Sequence, residues 1–487
     1  MDRELNHLKL ESARTSGRIR TALDVILVLL IVAAVISIAA TAPSTTYAYA
    51  QLQQIGAVVG SIESSNWLLP RDQLGGFAIK PQLYVWLDAP VLMITGIYND
   101  FTFRLPTVLA SLVSGVLVYF LGRRWYDRRV GLLAACLWAT AQHMGKMTYV
   151  AITDMLLSLW ILVAIMCADR LLFHRAPRRQ RWKWAVGLWA VMILGAVTKG
   201  WGIANLIFVG GALALATAVG PGFALLRAVD GFAKKMLLTI RLVLRRWRKA
   251  MKATYLAWGI LAMVVVLTPI WAAMFVQGGS EFAGVFDRDV FQRITGSGEN
   301  PPHSRSTGPA LNLLYYTLPM SIFMVGALVL AGPRRWFVHK SPIFLPLCWI
   351  LAVVVPFSLT HAFRPDYLLP CYAAVALMAA WAVEETYRLG RNAGVLTQIL
   401  RHVIAAAPVV IGVALILLPL IYLYYDHMPR FIAKNIRMPS AVPAPTWWVL
   451  TGLAGLGVVV LVLAVRWSLQ WRVRRVAAVA VVGMLGV

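Results

Sequence analysis

The sequence predicts an all-α polytopic membrane protein with about 12 to 13 transmembrane helices and a cytoplasmic N-terminus. Of its 487 residues, 60% are hydrophobic and only 14% are charged, whereas soluble domains carry about 25% charged residues. Apolar runs of about 20 residues, long enough to cross a bilayer as helices, recur along the chain. The 46 Lys and Arg residues, against 20 Asp and Glu, cluster between these runs. A disordered chain is excluded because such chains are poor in apolar residues.

The candidate spans follow a hydrophilic, basic arm over residues 1–22. The first apolar run is long enough to cross the bilayer and predicts a retained first helix rather than a cleaved signal peptide. The last run has only about 12 residues, too few for a full span, so the predicted C-terminal region, 391–487, ends on an incomplete helix. The runs lie at about 23–42, 104–122, 130–146, 152–172, 184–198, 201–219, 254–275, 310–331, 342–360, 367–383, 403–424, 446–465 and 476–487.

The positions of the basic residues test this predicted membrane topology, because short cytoplasmic loops of membrane proteins are enriched in Lys and Arg. With the N-terminus inside, 34 of the 46 basic residues fall in cytoplasmic segments, and every long basic loop lies on the same side. The excess charge is therefore an orientation signal, and no nucleic-acid partner is predicted. The basic and apolar cytoplasmic segment 222–252 predicts a helix on the anionic inner leaflet, with a partner-binding helix as the alternative.

Two external segments, 43–103 and 277–309, are too long to be simple connections. The first contains four apolar residues at helical spacing, which predict an interfacial helix along the membrane surface; they are Leu52, Ile55, Val59 and Ile62. A second apolar patch follows at 84–98. Because binding and catalytic residues concentrate in loops held by a rigid scaffold, we expect the functional site beside these two segments.

Ionisable side chains near the outer (non-cytoplasmic) membrane face are candidates for function, since such groups are costly there. Asp154 opens the fourth span, where an apolar flank would raise the basicity of its carboxylate; alternatively, Asp154 or Thr153 caps that helix. Lys80, Lys199 and Arg364 also fall at the outer face. Converging cations suit a lipid-linked phosphate, whereas each cation alone also suits contact with lipid headgroups.

Several strings of residues resemble the C-type membrane glycosyltransferases, in the branch that contains protein O-mannosyltransferases and lipid A aminoarabinose transferases. The resemblance covers about residues 20–385 in the correct order and topology, giving a core module at 23–390. No single string is decisive, but the ordered set is. The strings are "NWLLPRDQLGGFAIKPQLYVWLDAPV", "FRLPTVLASLVSGVLVYFLGRRWY", "ITDMLLS", "TKG", "QRITGSGENPP" and "RPDYLLPCYAAVAL".

The resemblance implies an enzyme of the plasma (inner) membrane that transfers a sugar from a polyprenyl phosphate to a glycan, lipid or protein acceptor at the periplasmic or extracellular face. A carboxylate would deprotonate the acceptor hydroxyl, and cations would stabilise the departing phosphate. The implied catalytic residues are Asp154 and Glu63; the donor-phosphate ligands are Lys80, Lys199, Arg364 and Arg293; and the substrate pocket is formed by Tyr84, Trp86 and Tyr367.

One departure from the family pattern bears on catalysis. The family has an Asp-Glu pair directly after the first helix, in a context like "DE-x-Y-A", whereas this chain has Thr45 and Thr46 in "PSTTYAYAQL". Neither hydroxyl is a base near neutral pH. The acid that often precedes the Lys-Pro motif is also replaced, by Ile79. Glu63 or Asp72, in the same external segment, could take over.

Two other function classes remain open beside the glycosyltransferase. A catalytically silent relative would keep the fold as a lipid-binding or structural membrane subunit, and the lost acidic pair favours this reading. A transporter is less well supported because the sequence has no inverted repeats with paired broken helices. We expect no cofactor beyond the donor lipid, although a divalent metal held by loop acids is not excluded. Membrane lipids are expected partners, and partner subunits remain open.

Overall fold

The structure is a computed structural model that describes residues 2–41, 49–72, 75–78, 80–219, 231–292, 308–360, 363–389, 394–423 and 446–469. Within these ranges the chain is helical, and the one β-type pairing is an isolated bridge between Arg71 and Phe77. The predicted all-α class is therefore confirmed.

The helices follow the apolar runs closely. They are α1 (Asp2–Thr41), α2 (Tyr49–Ser64), α3 (Leu83–Thr95), α4 (Asp100–Trp125), α5 (Arg128–Ala139), α6 (Met144–Met147), α7 (Asp154–Leu172), α8 (Arg181–Ala196), α9 (Ile203–Asn205), α10 (Gly211–Ala218), α11 (Phe232–Ala253), α12 (Leu256–Asp287), α13 (Pro309–Tyr316), α14 (Met320–Ala331), α15 (Pro333–Trp336), α16 (Phe344–Leu359), α17 (Tyr372–Arg388), α18 (Val395–Leu423) and α19 (Thr446–Leu469).

Six segments of the described chain are long and apolar enough to cross a membrane, and the bent pair α13–α14 would make a seventh. A polytopic membrane protein is therefore confirmed. Several predicted spans are shorter or broken. The run 130–146, for example, is divided between α5, which ends at Ala139, and α6, which begins at Met144. The count of 12 to 13 spans stays a prediction, and the final run, 476–487, lies outside the described residues.

Helix α17 lies at the centre of the bundle. Its string "YAAVALMAAWAVEE" is almost fully buried, and its many alanines let neighbouring helices approach closely. It packs against α5 and α14. Beside it, α4 and α5 cross at Gly122 and Gly131, where a Cβ on Gly122 would lie only 2.7 Å from the Cα of Gly131. Small residues therefore set the spacing of the core helices.

The first external segment folds into a small layer at one end of the bundle. Helix α2 contains the predicted interfacial helix and packs on α3 through a core that includes Val58, Val85 and Leu92. The chain between these helices crosses α2 so closely that a Cβ on Gly60 would lie 1.8 Å from the carbonyl oxygen of Arg71. The predicted helix is found as α2, its position along the membrane surface stays a prediction, and this layer positions the following Lys-Pro motif.

The opposite end, predicted to be cytoplasmic, is held by ion pairs whose carboxylates are buried. Asp24 of α1 accepts two hydrogen bonds of 2.6 Å from the Arg128 guanidinium, and Asp169 at the end of α7 pairs with Arg124 at 2.6 Å. The predicted basic arm and first span form one continuous helix, α1.

The second external segment begins differently from the prediction. Helix α12 continues past residue 277 to Asp287, interrupted at Gly279, which has a φ of 55°. The start of the predicted loop is therefore helical, while residues 293–307 lie outside the described part.

Candidate functional site

A buried ion pair joins two residues predicted for the site. Asp154 is in the first turn of α7, and its Oδ1 lies 2.5 Å from Nζ of Lys199, beyond the end of α8. The side chains are only 8% and 18% exposed, respectively. The alternative prediction of a helix cap does not describe this contact, because the Asp154 carboxylate binds an ammonium and Thr153 makes no capping hydrogen bond.

The "TKG" string places Lys199 through a sharp turn after α8. Thr198 donates to the carbonyl of Leu194 at 2.6 Å and accepts from the indole of Trp160 on α7 at 3.1 Å. Gly200 has a φ of 67°, a left-handed conformation that glycine adopts without steric cost. The turn is therefore tied to α7, which directs Lys199 towards Asp154.

Lys199 is cationic in this environment. Burial by itself would lower the pKa of the ammonium. The carboxylate of Asp154, the ring of Tyr367 and the carboxylate of Asp366 act in the opposite direction, so that the pKa of Lys199 is raised above its ordinary value. Its Nζ also lies 4.5 Å from the centroid of the Tyr367 ring. The site thus favours the ammonium form of Lys199 at a position with little exposure to water.

The "RPDYLLP" string forms the other wall of the site. A 3₁₀ helix, Pro365–Cys371, leads directly into α17 and carries Tyr367. Arg364, just before it, is exposed, and its guanidinium makes no hydrogen bond or ion pair within the described part of the chain. Its guanidinium is therefore available to a bidentate anion such as a phosphate. The structure brings together Asp154, Lys199 and Tyr367, with Arg364 three residues away in the chain.

A second polar pair at this site was missed by the sequence reasoning. Nε2 of His143 lies 2.9 Å from Oδ1 of Asp366, the residue before Tyr367. The histidine ring packs edge-on against Tyr316 with centroids 4.7 Å apart. The two partners are 223 positions apart in the chain, so spacing could not link them. The only available signal was that both strings, "QHMGK" and "RPD", fall at the outer ends of predicted spans.

The Lys-Pro segment is joined to the Lys199 turn by the backbone. The N–H of Leu83 donates to the carbonyl of Val197 at 2.8 Å, which brings the segments that carry Lys80 and Lys199 side by side. Lys80 itself is half-buried. The predicted convergence of these two segments is therefore found in the backbone.

Tyr84 and Trp86, predicted to line a substrate pocket, hold the first external segment in place. Tyr84 is fully buried and donates to the carbonyl of Phe103 at 2.9 Å. The indole of Trp86 donates to the carbonyl of Trp67 at 2.7 Å. A pocket role for Tyr84 would need this packing to open, because no part of its side chain reaches the surface. For Trp86, which is half-buried, the pocket role stays a prediction.

The other predicted residues are less closely tied to the site. Glu63 is exposed near the end of α2, and no contact joins it to Asp154 within the described ranges. Arg293, Thr45 and Thr46 lie outside the described residues. Across the part of the chain that the structure covers, no group of three or more His, Cys, Asp and Glu residues is arranged to hold a metal ion; the question of a metal stays open.

Comparisons with known proteins bear on this arrangement. Residues 79–225 match the family described as dolichyl-phosphate-mannose-protein mannosyltransferase. An undecaprenyl phosphate-alpha-4-amino-4-deoxy-L-arabinose arabinosyl transferase of Pseudomonas aeruginosa (strain LESB58) is 26% identical over 348 residues, covering 71% of this chain and 56% of that protein. The protein of the same name from Erwinia tasmaniensis is 26% identical over 406 residues, 80% of this chain and 64% of the relative. This chain therefore spans little more than half the length of the first of these relatives.

The fold is also found in a solved structure. ArnT from Cupriavidus metallidurans, bound to undecaprenyl phosphate, aligns with a TM-score of 0.65 at 18% identity, covering 95% of this chain and 75% of that chain. Its apo state aligns with a TM-score of 0.61. The matched family segment, the relatives and this common fold confirm the resemblance that the motifs predict: the chain is a polytopic membrane protein similar in sequence and fold to the C-type glycosyltransferases.

Proposed function

We propose that the protein is a membrane glycosyltransferase that moves a sugar from a polyprenyl-phosphate donor to an acceptor at the non-cytoplasmic face. The observation that carries this proposal is the buried pair of Asp154 and Lys199, with Arg364 and Tyr367 on the adjoining segment. The relatives named as undecaprenyl-phosphate aminoarabinose transferases support the donor class. The acceptor is a glycan, lipid or protein hydroxyl.

The cations serve the departing phosphate. When the bond between the anomeric carbon and the phosphate oxygen breaks, negative charge grows on the phosphate, and cations already in place stabilise that charge most where water is excluded. Lys199 is such a cation, held by Asp154 and lying over the Tyr367 ring. Arg364, exposed at the entrance, supplies a planar guanidinium suited to two phosphate oxygens.

Asp154 acts on the donor side in this proposal. Its Oδ1 lies 2.5 Å from Nζ of Lys199, and its role in this proposal is to orient that ammonium. Asp154, Lys199 and Arg364 fall at the helix ends that the positive-inside rule places outside. The proposed location is the plasma (inner) membrane, with the active face periplasmic or extracellular.

The test uses the full chain in lipid nanodiscs. Wild type is given radiolabelled undecaprenyl-phosphate 4-amino-4-deoxy-L-arabinose or undecaprenyl-phosphate mannose with lipid A as acceptor, and binding and turnover of the donor are measured separately. The double variant Asp154→Asn with Lys199→Met removes the pair without leaving an unpaired buried charge. We expect its turnover to fall by at least about 100-fold. Lys340→Met, at an exposed cytoplasmic lysine, is the matched control.

The outcomes separate two function classes. Turnover by wild type and by Lys340→Met, with loss in the double variant, supports the glycosyltransferase. Donor binding without turnover in wild type supports the alternative that the replaced acidic pair at Thr45 and Thr46 favours, a catalytically silent lipid-binding subunit. Full turnover in the double variant contradicts the assigned phosphate site.

A further inference from the structure

We propose that Asp366, held by His143, is the base that takes the proton of the acceptor hydroxyl. This inference rests on the proposed glycosyl transfer and assigns its acceptor side. The family's usual acidic pair is replaced by Thr45 and Thr46, and Asp154 is engaged by Lys199. The reaction therefore needs another carboxylate at the outer face, close to the phosphate cations.

The geometry of the pair leaves one carboxylate oxygen open. Oδ1 of Asp366 is bound by Nε2 of His143 at 2.9 Å. Oδ2 has no hydrogen-bond partner among the described residues, and the side chain is 26% exposed, whereas that of His143 is 6% exposed. The carboxylate is thus fixed through one oxygen while the other faces accessible space. This is the arrangement of a base whose orientation is set by a neighbour.

The histidine is itself held firmly. Its backbone N–H donates to the carbonyl of Tyr316 at 3.2 Å, and its ring packs against the rings of Tyr316 and Tyr372. A histidine restrained in this way fixes the direction of the hydrogen bond to Asp366. His143 is therefore a positioning residue in this proposal, and Asp366 is the catalytic one.

An unsatisfied hydroxyl, that of Tyr372, lies beside the pair. The Tyr372 side chain is fully buried, and its hydroxyl lacks a hydrogen-bond partner within the described ranges. Buried polar groups normally have a partner in the protein or in an ordered ligand or water. Tyr372 also interacts electrostatically with Asp366.

The charges around Asp366 connect it to the donor site. Lys146, from the turn that carries His143, and Lys199 both attract its carboxylate, and the Tyr316 ring on α13 also faces it. The next residue in the chain, Tyr367, contacts Lys199. The proposed base is therefore next in the chain to the residue that contacts the phosphate-side cation, Lys199.

The proposed reaction is a single displacement at the anomeric carbon of the sugar. The acceptor oxygen forms a bond to the anomeric carbon, and the bond from that carbon to the phosphate oxygen breaks. Its electron pair leaves with the polyprenyl phosphate, beside Lys199. The hydroxyl proton passes to Oδ2 of Asp366, which later returns it to water.

The test measures kcat, the donor KM and the pH profile of the full chain in nanodiscs, with the two undecaprenyl-phosphate donors and lipid A named above. Asp366→Asn is expected to lower kcat by about 100- to 1,000-fold, to leave the donor KM within about threefold, and to abolish the acidic limb of the profile. Asp287→Asn, at an exposed carboxylate of α12, is the control and should keep wild-type kinetics.

Variants at His143 separate positioning from folding. His143→Gln keeps an N–H that can reach the carboxylate and should lose about tenfold in kcat, whereas His143→Leu should lose more, by about 100-fold. If wild type turns over the donor and Asp366→Asn keeps kcat within threefold of the wild-type value, the assignment of Asp366 as the base is overturned while the proposed transfer stands. An unchanged acidic limb in Asp366→Asn also overturns it. Absence of turnover in wild type with both donors overturns the proposed transfer itself.

Discussion

The ion pair between Asp154 and Lys199 makes a sharp prediction about stability. Both side chains are largely buried, with Nζ and Oδ1 2.5 Å apart. Removing one partner of such a pair leaves a buried charge without compensation and costs about 3–5 kcal/mol. Lys199→Met does this to Asp154, so we expect it to lower the free energy of unfolding by about 3 kcal/mol.

The reciprocal variant should be milder. In Asp154→Asn the ammonium keeps its contact with the Tyr367 ring and its attraction to Asp366, so a loss of about 2 kcal/mol is expected. The double variant carries no unpaired charge at this position. Its loss should therefore be smaller than the sum of the single losses by about 2 kcal/mol.

The measurement is a double-mutant cycle on reversible unfolding of the full chain in mixed detergent micelles. Lys340→Met, at an exposed lysine, controls for replacing a lysine by methionine and should change the unfolding free energy by less than about 0.5 kcal/mol. Additive losses from the two single variants would show that the residues are not coupled, and would refute the site geometry.

The remaining predictions concern the packing around the site. Burial raises the pKa of Asp88 to about 7, and neither carboxylate oxygen has a partner among the described residues. The stability that the neutral form provides is therefore lost as pH rises through 7. The free energy of unfolding should be lower at pH 8 than at pH 5.5 in wild type, and this difference should disappear in Asp88→Asn. An equal difference in that variant would contradict the raised pKa of Asp88. Gly122→Ala should cost about 1–3 kcal/mol in unfolding free energy, because its Cβ would meet the Gly131 backbone at 2.7 Å. Gly210→Ala, which meets nothing within 4 Å, is the control, and equal effects of the two would refute the close helix crossing.

Much of the fold follows from the sequence because the bilayer imposes length and charge rules. Apolar runs located the helices, and the one-sided Lys and Arg placed Asp154, Lys199 and Arg364 together at one face. The family strings then joined the first two as parts of one site, which the structure shows as an ion pair. The predicted start of the fourth span agrees with the start of α7, whereas the second external segment begins inside α12.

Predictions that depend on tertiary detail could not be made in the same way. His143 and Asp366 meet only because α5 and α17, which lie near them in the chain, pack against each other, and no periodicity encodes that contact. Tyr84 has the composition of a pocket residue, yet its packing under α4 buries it. Helix α12 continues beyond residue 277, with non-helical backbone angles at Gly279. The local polarity of the sequence does not indicate this continuation.

The central claim is that this scaffold transfers a sugar from a polyprenyl phosphate in one displacement. The most direct measurement is the anomeric configuration of the product, read by NMR after wild type in nanodiscs has consumed undecaprenyl-phosphate 4-amino-4-deoxy-L-arabinose or the mannose donor in the presence of lipid A. For a single displacement, we expect a glycoside of inverted configuration that forms together with free undecaprenyl phosphate. A product of retained configuration, or donor that binds without being consumed, would contradict it.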